Sequence, residues 1–145
     1  MKKTIKPIVW YSMTFLATVF CACKKSSVDD DPVIMYLRIV NDTDSSIPNN
    51  MLTGPITVKA LPNKASTNFD GEERVADFGT IAVGETTAYK AVSNMFLLEV
   101  NGAPFGEDGF GVSSPPSTQW TLKIQGVQEW EGEDYVYAWD LAADF

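Results

Sequence analysis

The chain has 145 residues, with 11 Lys and Arg against 19 Asp and Glu, two Cys and no His. This length supports a single domain, and a composition that is 45% hydrophobic and 21% charged supports a folded body. Because the chain has no histidine, Ser-His-Asp catalysis, Cys-His catalysis and His-ligated metal or haem sites are excluded. The net charge of −8 argues against binding to nucleic acid, which depends on Lys and Arg.

The N-terminal segment predicts export. A basic start is followed by an apolar stretch of 14 residues, which fits a secretory signal, whereas a bilayer-spanning helix needs about 20. The sequence Phe20-Cys21-Ala22-Cys23 then resembles a bacterial lipobox. Cys23 is the better lipidation residue because a small side chain precedes it, whereas a bulky one precedes Cys21. The resemblance implies that acyl chains on the Cys23 thiol anchor the protein to a membrane.

A short polar segment follows and ends at Pro32, as flexible tethers do. Its run Asp29-Asp30-Asp31 resembles the surface-export signal of Bacteroidota lipoproteins, although it begins six residues after Cys23. A solvated spacer is the alternative. The expected location is therefore the bacterial outer membrane, with the periplasmic and the surface face both open. The predicted organisation is a signal peptide over residues 1–22, a lipidated tether over 23–32 and a β-sandwich domain over 33–145.

Beyond the tether, apolar and polar residues alternate, which predicts strands. The clearest case is the stretch in which Trp120, Leu122 and Ile124 alternate with polar residues. Turn signals separate these stretches, and no helical pattern occurs, so we predict an all-β fold: a single antiparallel β-sandwich of about seven strands. The strands are expected over residues 33–40, 56–60, 74–83, 86–92, 95–100, 117–125 and 134–141.

Three connecting segments carry further expectations. Residues 83–85, Val-Gly-Glu, predict a tight hairpin, and residues 101–117, rich in Gly, Pro and Ser, predict a long loop that is functional or mobile. Residues 77–90 resemble a segment of lipid-anchored β-sandwich proteins in which a Gly-Glu-Thr-Thr turn leads to a Tyr-bearing strand. The resemblance implies an immunoglobulin-like or transthyretin-like sandwich, a fold that does not decide function.

Aromatic residues near the C-terminus are the candidate contacts for a ligand or partner. Tyr135, Tyr137 and Trp139 share one face of a predicted strand that is expected to pair antiparallel with residues 118–125. Exposed rings in such a row would stack on sugars, but aromatic rows on strands more often belong to the core. Trp130 is expected at an exposed hairpin tip, which makes it the best single contact.

The acidic residues do not predict a chemical site. Residues 41–46 place side-chain oxygens at alternate positions as calcium loops do, but the loop glycine and the closing glutamate are absent, so a solvated turn is favoured. Pairs of carboxylates can hydrolyse glycosides, yet nothing in the sequence indicates a cleft. We predict no catalytic residue, no metal site and no cofactor.

Together these observations predict a non-catalytic, lipid-anchored protein of the cell envelope with a binding or structural role at the outer membrane. The alternative is a carbohydrate-binding accessory module that uses exposed aromatic residues. The expected partners are the membrane, through the acyl chains on Cys23, and envelope proteins or glycans. Nucleic acid is not expected.

Overall fold

The computed structural model describes residues 34–111, 118–130, 132 and 134–144. These residues form eight strands and no helix, in two four-stranded sheets, which confirms the all-β sandwich with eight strands in place of about seven. The described residues therefore contain no helix that could cross a membrane. The strands are β1 (Met35–Asn41), β2 (Ile56–Pro62), β3 (Ala76–Ile81), β4 (Lys90–Val92), β5 (Met95–Val100), β6 (Ala103–Gly111), β7 (Gln119–Trp130) and β8 (Asp134–Ala143).

The two sheets have the strand orders β4-β1-β7-β8 and β3-β2-β5-β6. Neighbouring strands are antiparallel except β1 and β7, which run parallel with Leu37 opposite Trp120 and Ile39 opposite Leu122. This pair departs from the purely antiparallel sandwich that was expected. It can be parallel because the chain passes through the second sheet between the two strands, which provides the long crossover that a parallel pair needs.

The core lies between the sheets and is built from alternate residues of the strands. Met35, Leu37 and Ile39 of β1 are buried, and Trp120 and Leu122 of β7 lie beside them, as the alternation predicts. A fully buried side chain of this size stabilises the fold by about 1.5–3 kcal/mol. The opposite sheet contributes the buried apolar residues Ile56, Val58, Ala60, Ala76, Phe78, Ile81, Phe96, Leu98, Val100, Phe105 and Phe110.

The prediction of a long loop over residues 101–117 is wrong, because nine of these residues form β6. Asn101 and Gly102, at φ 52° and 77°, reverse the chain tightly, so that β6 pairs back on β5. Residues 112–117 lie outside the described residues.

Glycines conceal β6 in the sequence because the strand contains a bulge. Phe105 pairs with Leu98 and Phe110 pairs with Phe96, so the residues between the two phenylalanines bulge while both rings point into the core. The bulge requires glycine at position 109: φ is 75°, and a Cβ there would lie 2.8 Å from the Phe96 carbonyl oxygen. The five-residue spacing of the two phenylalanines therefore hides the strand, because the bulge interrupts the regular alternation.

The predicted hairpin at residues 83–85 is also wrong. A tight turn is present, with the Glu85 amide donating to the Ala82 carbonyl at 3.0 Å, but it connects β3 of one sheet to β4 of the other. The end of β1 holds this turn in place: the Gly84 amide donates to the Asn41 carbonyl at 2.7 Å, and the Asn41 amide donates to the Glu85 carbonyl at 3.1 Å.

The pair formed by β7 and β8 is antiparallel, as predicted, but β7 continues well beyond residue 125. Ile124 is the last residue of β7 opposite β1, and the strand then runs to Trp130, paired with β8 throughout. A bulge between Ile124 and Gly126 marks the start of this extension. The connecting segment of residues 42–54 lies beside the extension in place of a strand, with the Met51 amide donating to the Val127 carbonyl at 2.7 Å.

The side chain of Asn50 joins that segment to β7. Its Nδ2 donates to the carbonyls of Asp44 and Gln125, both at 3.0 Å, and its Oδ1 accepts from the amides of Leu52 at 3.0 Å and Val127 at 3.1 Å. Every hydrogen-bonding position of the amide group is therefore used. The group rests directly on Gly126, where an added Cβ would lie 2.6 Å from Asn50 Nδ2.

We therefore expect Gly126→Ala to lower the free energy of unfolding by about 2 kcal/mol, because the new methyl group would displace the Asn50 amide. Denaturant unfolding of the single and double variants measures this. In an Asn50→Ala background, Gly126→Ala should lower the free energy of unfolding by less than half as much, because the Asn50 amide that the methyl group would displace is absent. Equal costs in both backgrounds would show that Asn50 does not depend on this contact.

Candidate binding site

The aromatic row of β8 lies at the boundary between the core and the solvent. Tyr137 meets Phe105 edge to face with ring centroids 5.1 Å apart, and Trp139 meets Phe110 in the same way at 4.9 Å. Tyr137 packs against the core, whereas Tyr135 and Trp139 remain 46% and 45% exposed. The row therefore combines the two roles that the sequence left open. It faces β6 across an open side of the sandwich, where the edge strands of the two sheets meet.

An apolar groove of about 420 Å³ lies at one end of this open side. Four of its lining residues are buried: Leu52, Val100, Phe105 and Val127. None of the described residues that line it carries a charge. The lining consists of Met51, Leu52, Val100, Asn101, Ala103, Pro104, Phe105, Val127, Tyr135 and Tyr137.

Two features of the fold position the walls of the groove. The Asn50 contacts hold the connection between β1 and β2 against β7. This places Met51, which is 55% exposed, at the rim of the groove and Leu52 at its base. The turn between β5 and β6 places Asn101, whose Oδ1 accepts from the Thr57 amide at 2.9 Å. Both walls are therefore fixed by hydrogen bonds to neighbouring strands.

The net charge of the chain comes from its C-terminal part, which supplies both edge strands of this open side. Residues 91–145 contain nine acidic residues and one basic residue, Lys123, whereas residues 1–90 contain ten of each. The whole net charge of −8 therefore comes from the segment that supplies β5 to β8. Asp134 and Asp140 lie on β8, and Glu107 and Asp108 lie on β6.

The groove and the point at which the chain enters the sandwich lie at opposite ends of the sheet. Met35, the first residue of β1, is opposite Val92, and the Tyr36 amide donates to the Thr118 carbonyl at 2.6 Å. At this end β7 begins and β8 ends. The groove lies where β7 ends and β8 begins, at Val127 and Tyr135.

Two of the predicted site residues lie wholly or partly outside the described part of the structure. Cys23 belongs to residues 1–33, which are not described. Trp130 is the last residue of β7 and is opposite Asp134, but its side chain is not described. Its predicted exposure stays a prediction.

The side chains of the oxygen-rich turn at residues 41–46 form hydrogen bonds within the turn and to neighbouring segments. The buried Asn41 side chain donates to the carbonyls of Gly54 at 3.0 Å and Ile81 at 2.9 Å. Asp44 Oδ1 accepts from the Ser46 amide at 2.7 Å, and the hydrogen bonds from Ser46 lower the pKa of the Asp44 carboxyl group. Among the described residues, no group of three Cys, Asp or Glu side chains comes together as metal ligands would.

The sequence analysis missed a polar network on the outer face of the first sheet. Asp144 Oδ2 accepts hydrogen bonds from Tyr89 Oη at 2.7 Å and from Thr121 Oγ1 at 2.6 Å. Arg38 Nε donates to Thr121 Oγ1 at 2.7 Å, its guanidinium lies 3.5 Å from Asp144 Oδ1, and it stacks over the Tyr89 ring at 4.9 Å. The network connects Asp144 to β1, to β7 and to the connection before β4.

Comparison with models of protein families, with characterised proteins and with solved structures finds no match to this chain. The candidate site therefore rests on geometry. The structure brings Tyr135, Tyr137 and Trp139 together on one face, as predicted. It adds Met51, Leu52 and the start of β6, which no local pattern in the sequence connects with them.

The polar network predicts a stability that depends on pH. Burial raises the pKa of Asp144, but hydrogen bonds from Thr121 and Tyr89 and the charge of Arg38 outweigh it, so the pKa lies below its ordinary value. The hydrogen bond to Asp144 raises the pKa of Tyr89. Because the pKa of Asp144 is lowered, its carboxylate stabilises the fold above about pH 4, and this contribution is lost as the pH falls. Because the pKa of Tyr89 is raised, its hydroxyl group stabilises the fold below about pH 10, and this contribution is lost as the pH rises.

We expect Asp144→Asn to lower the free energy of unfolding by roughly 1 kcal/mol at pH 7, because a charged acceptor is lost from a half-exposed network. Urea unfolding from pH 3 to pH 7 measures the difference between the variant and the unaltered chain. This difference should shrink as the pH falls below about 4, where the unaltered carboxyl group also becomes protonated. A difference that stays constant over this range would contradict the assignment.

Proposed function

We propose that this chain is a non-catalytic, lipid-anchored protein of the bacterial cell envelope, held in the outer membrane by acyl chains on Cys23, whose sandwich binds another envelope protein through the groove between β6 and β8. The observation that carries the binding role is the groove itself. It combines buried apolar residues at its base with half-exposed Tyr135 and Met51 at its rim. Exposed apolar patches that polar residues surround are typical of interaction sites.

The position of the groove supports a partner outside the membrane. The chain enters the sandwich at Met35, at the end opposite the groove. Between Cys23 and Met35 the chain can span at most about 40 Å when fully extended. An anchor at Cys23 would therefore be joined to the end of the sandwich that does not carry the groove.

The chemistry of the groove supports binding without catalysis. Its lining offers the Asn101 amide and two tyrosine hydroxyl groups among apolar side chains. Such a surface gains affinity from the burial of apolar area, by about 25 cal/mol for each Å². An apolar side chain of a protein partner fits this lining.

A second candidate function is carbohydrate binding, which the exposure of the β8 row favours. Tyr135 and Trp139 are each nearly half exposed on the same face of one strand, so two rings are accessible to the flat face of a sugar. Slower migration in gels that contain a soluble polysaccharide, lost in Trp139→Ala and retained in Ala88→Val, would favour this alternative. Unchanged migration with every polysaccharide would remove it.

The anchor itself predicts a biochemical result. Cells that express the unaltered chain should incorporate labelled palmitate into it and retain it in the membrane fraction, because two or three acyl chains anchor firmly. Cys23→Ala should lose both the label and the membrane fractionation, whereas Cys21→Ala should keep both. Label retained in Cys23→Ala, or lost in Cys21→Ala, would contradict the anchor at Cys23.

A further inference from the structure

The sandwich has four edge strands, and three of them carry features that discourage another strand from pairing. β4 has only three residues. β3 is six residues long and is interrupted by a bulge at Gly79. β6 contains Pro104, which has no amide hydrogen, and the bulge between Phe105 and Phe110. Short length, bulges and proline are the ways in which proteins protect sheet edges.

The fourth edge, β8, is not protected in this way. It has ten residues, Asp134–Ala143, without proline or glycine, and pairs only with β7 among the described residues. Tyr135, Val136 and Trp139 are 46%, 50% and 45% exposed. A long, regular and apolar edge of this kind is a template for strand addition.

The hydrogen-bond pattern identifies the backbone groups that are available on this edge. The Asp144 amide donates to the Gln119 carbonyl at 2.9 Å, so this pair is hydrogen-bonded across β7 and β8. Such pairs alternate along antiparallel strands, so the amides of Leu141 and Trp139 point away from β7. Ala138 pairs with Gly126 across the bulge, which carries the alternation on to Tyr137.

The two faces of β8 set the chemistry of a strand that would add to it. On the inner face Tyr135 and Tyr137 line the apolar groove, and Trp139 and Leu141 follow them along the strand. The outer face carries Asp134 and Asp140. The side chains of an added strand would alternate between these faces. The inner ones would have to be apolar, and the outer ones would be most favourable as Lys or Arg.

We propose that β8 accepts an extended segment of a partner protein, in which apolar residues alternate with lysine or arginine, and that this segment completes the sheet while its apolar side chains cover the groove. The inference rests on the proposed binding role and names the partner chemistry for that same site. Charge complementarity supports it, because the charged residues of β8 are Asp134 and Asp140 and those of β6 are Glu107 and Asp108. The same charge opposes pairing of two copies of this chain, since each would bring an acidic edge.

Hydrogen exchange of the full-length, detergent-solubilised lipoprotein tests the proposal directly. The probe is a capped ten-residue peptide of alternating valine and lysine, and the control is the same peptide with glutamate in place of lysine. With the lysine peptide, the amides of Tyr137, Trp139 and Leu141 should gain at least tenfold protection, because they would donate to the added strand. The amides of Ala138 and Asp140, which already face β7, should change less than twofold.

Two sets of variants separate the backbone and the charge contributions. Trp139→Pro should weaken binding of the lysine peptide at least tenfold more than Trp139→Thr, because both lose the ring and only the first loses the outward amide. Asp134→Asn combined with Asp140→Asn should weaken it about fivefold at low salt and less at high salt. If the proline variant does not fold, the hydrogen-exchange pattern of the unaltered chain still tests whether a strand adds to β8.

The results that would overturn strand addition to β8 differ from those that would overturn the proposed function. Equal binding of both peptides, protection confined to another edge, or a dimer of the chain alone with β8 protected would overturn strand addition. Retardation by a polysaccharide without protection by the peptide would also overturn it and would favour the carbohydrate alternative. In each of these cases the palmitate result for Cys23 would still decide the anchor independently.

Discussion

The groove depends on the hydrogen bonds of one side chain, Asn50. β7 extends past the end of β1 and would have no neighbour on that side without the connection of residues 42–54. The Asn50 amide joins this connection to the extension through four hydrogen bonds and is covered by the close approach of Gly126. A partly buried amide with every group satisfied favours one arrangement, since a displacement leaves polar atoms unpaired. Leu52 is thereby held in the core and Met51 at the rim.

Charge and the protection of the strand edges then determine which kind of partner the open side can bind. The segment of residues 91–145 supplies both edge strands of this side and carries the entire net charge of the chain. β6 is protected by Pro104 and its bulge, so the accessible backbone is that of β8. An acidic, apolar and unprotected edge lies beside an apolar groove, and the entry of the chain lies at the far end. Together these features favour a basic, extended partner.

The sequence was sufficient for the fold class because alternation of apolar residues controls burial directly. Trp120, Leu122 and Ile124 are buried where the alternation places them. It was not sufficient where the chain departs from regular alternation. The five-residue spacing of Phe105 and Phe110 hides a bulge, and the glycines of β6 resemble a loop until the tight turn at Asn101 is followed to a pairing strand.

The site was only partly predictable for a related reason. The shared face of Tyr135, Tyr137 and Trp139 follows from strand periodicity alone, but the groove also needs Leu52 and the start of β6, which are distant in sequence. The role of Asn50 has no local signature, because its partners include Gln125 and Val127, 75 and 77 residues away. Contacts of this range depend on the complete topology.

Chemical labelling in intact cells tests the central claim that the groove side is a binding surface. Ala103→Cys places a thiol at the groove and Ala88→Cys places one on the exposed connection before β4, and the proposed acylation of Cys23 leaves no other thiol in the mature chain. With a small maleimide, the thiol at position 103 should react several times more slowly in cells than in the purified protein, while that at position 88 reacts at the same rate in both. Equal rates in cells and in purified protein at position 103 would contradict the account.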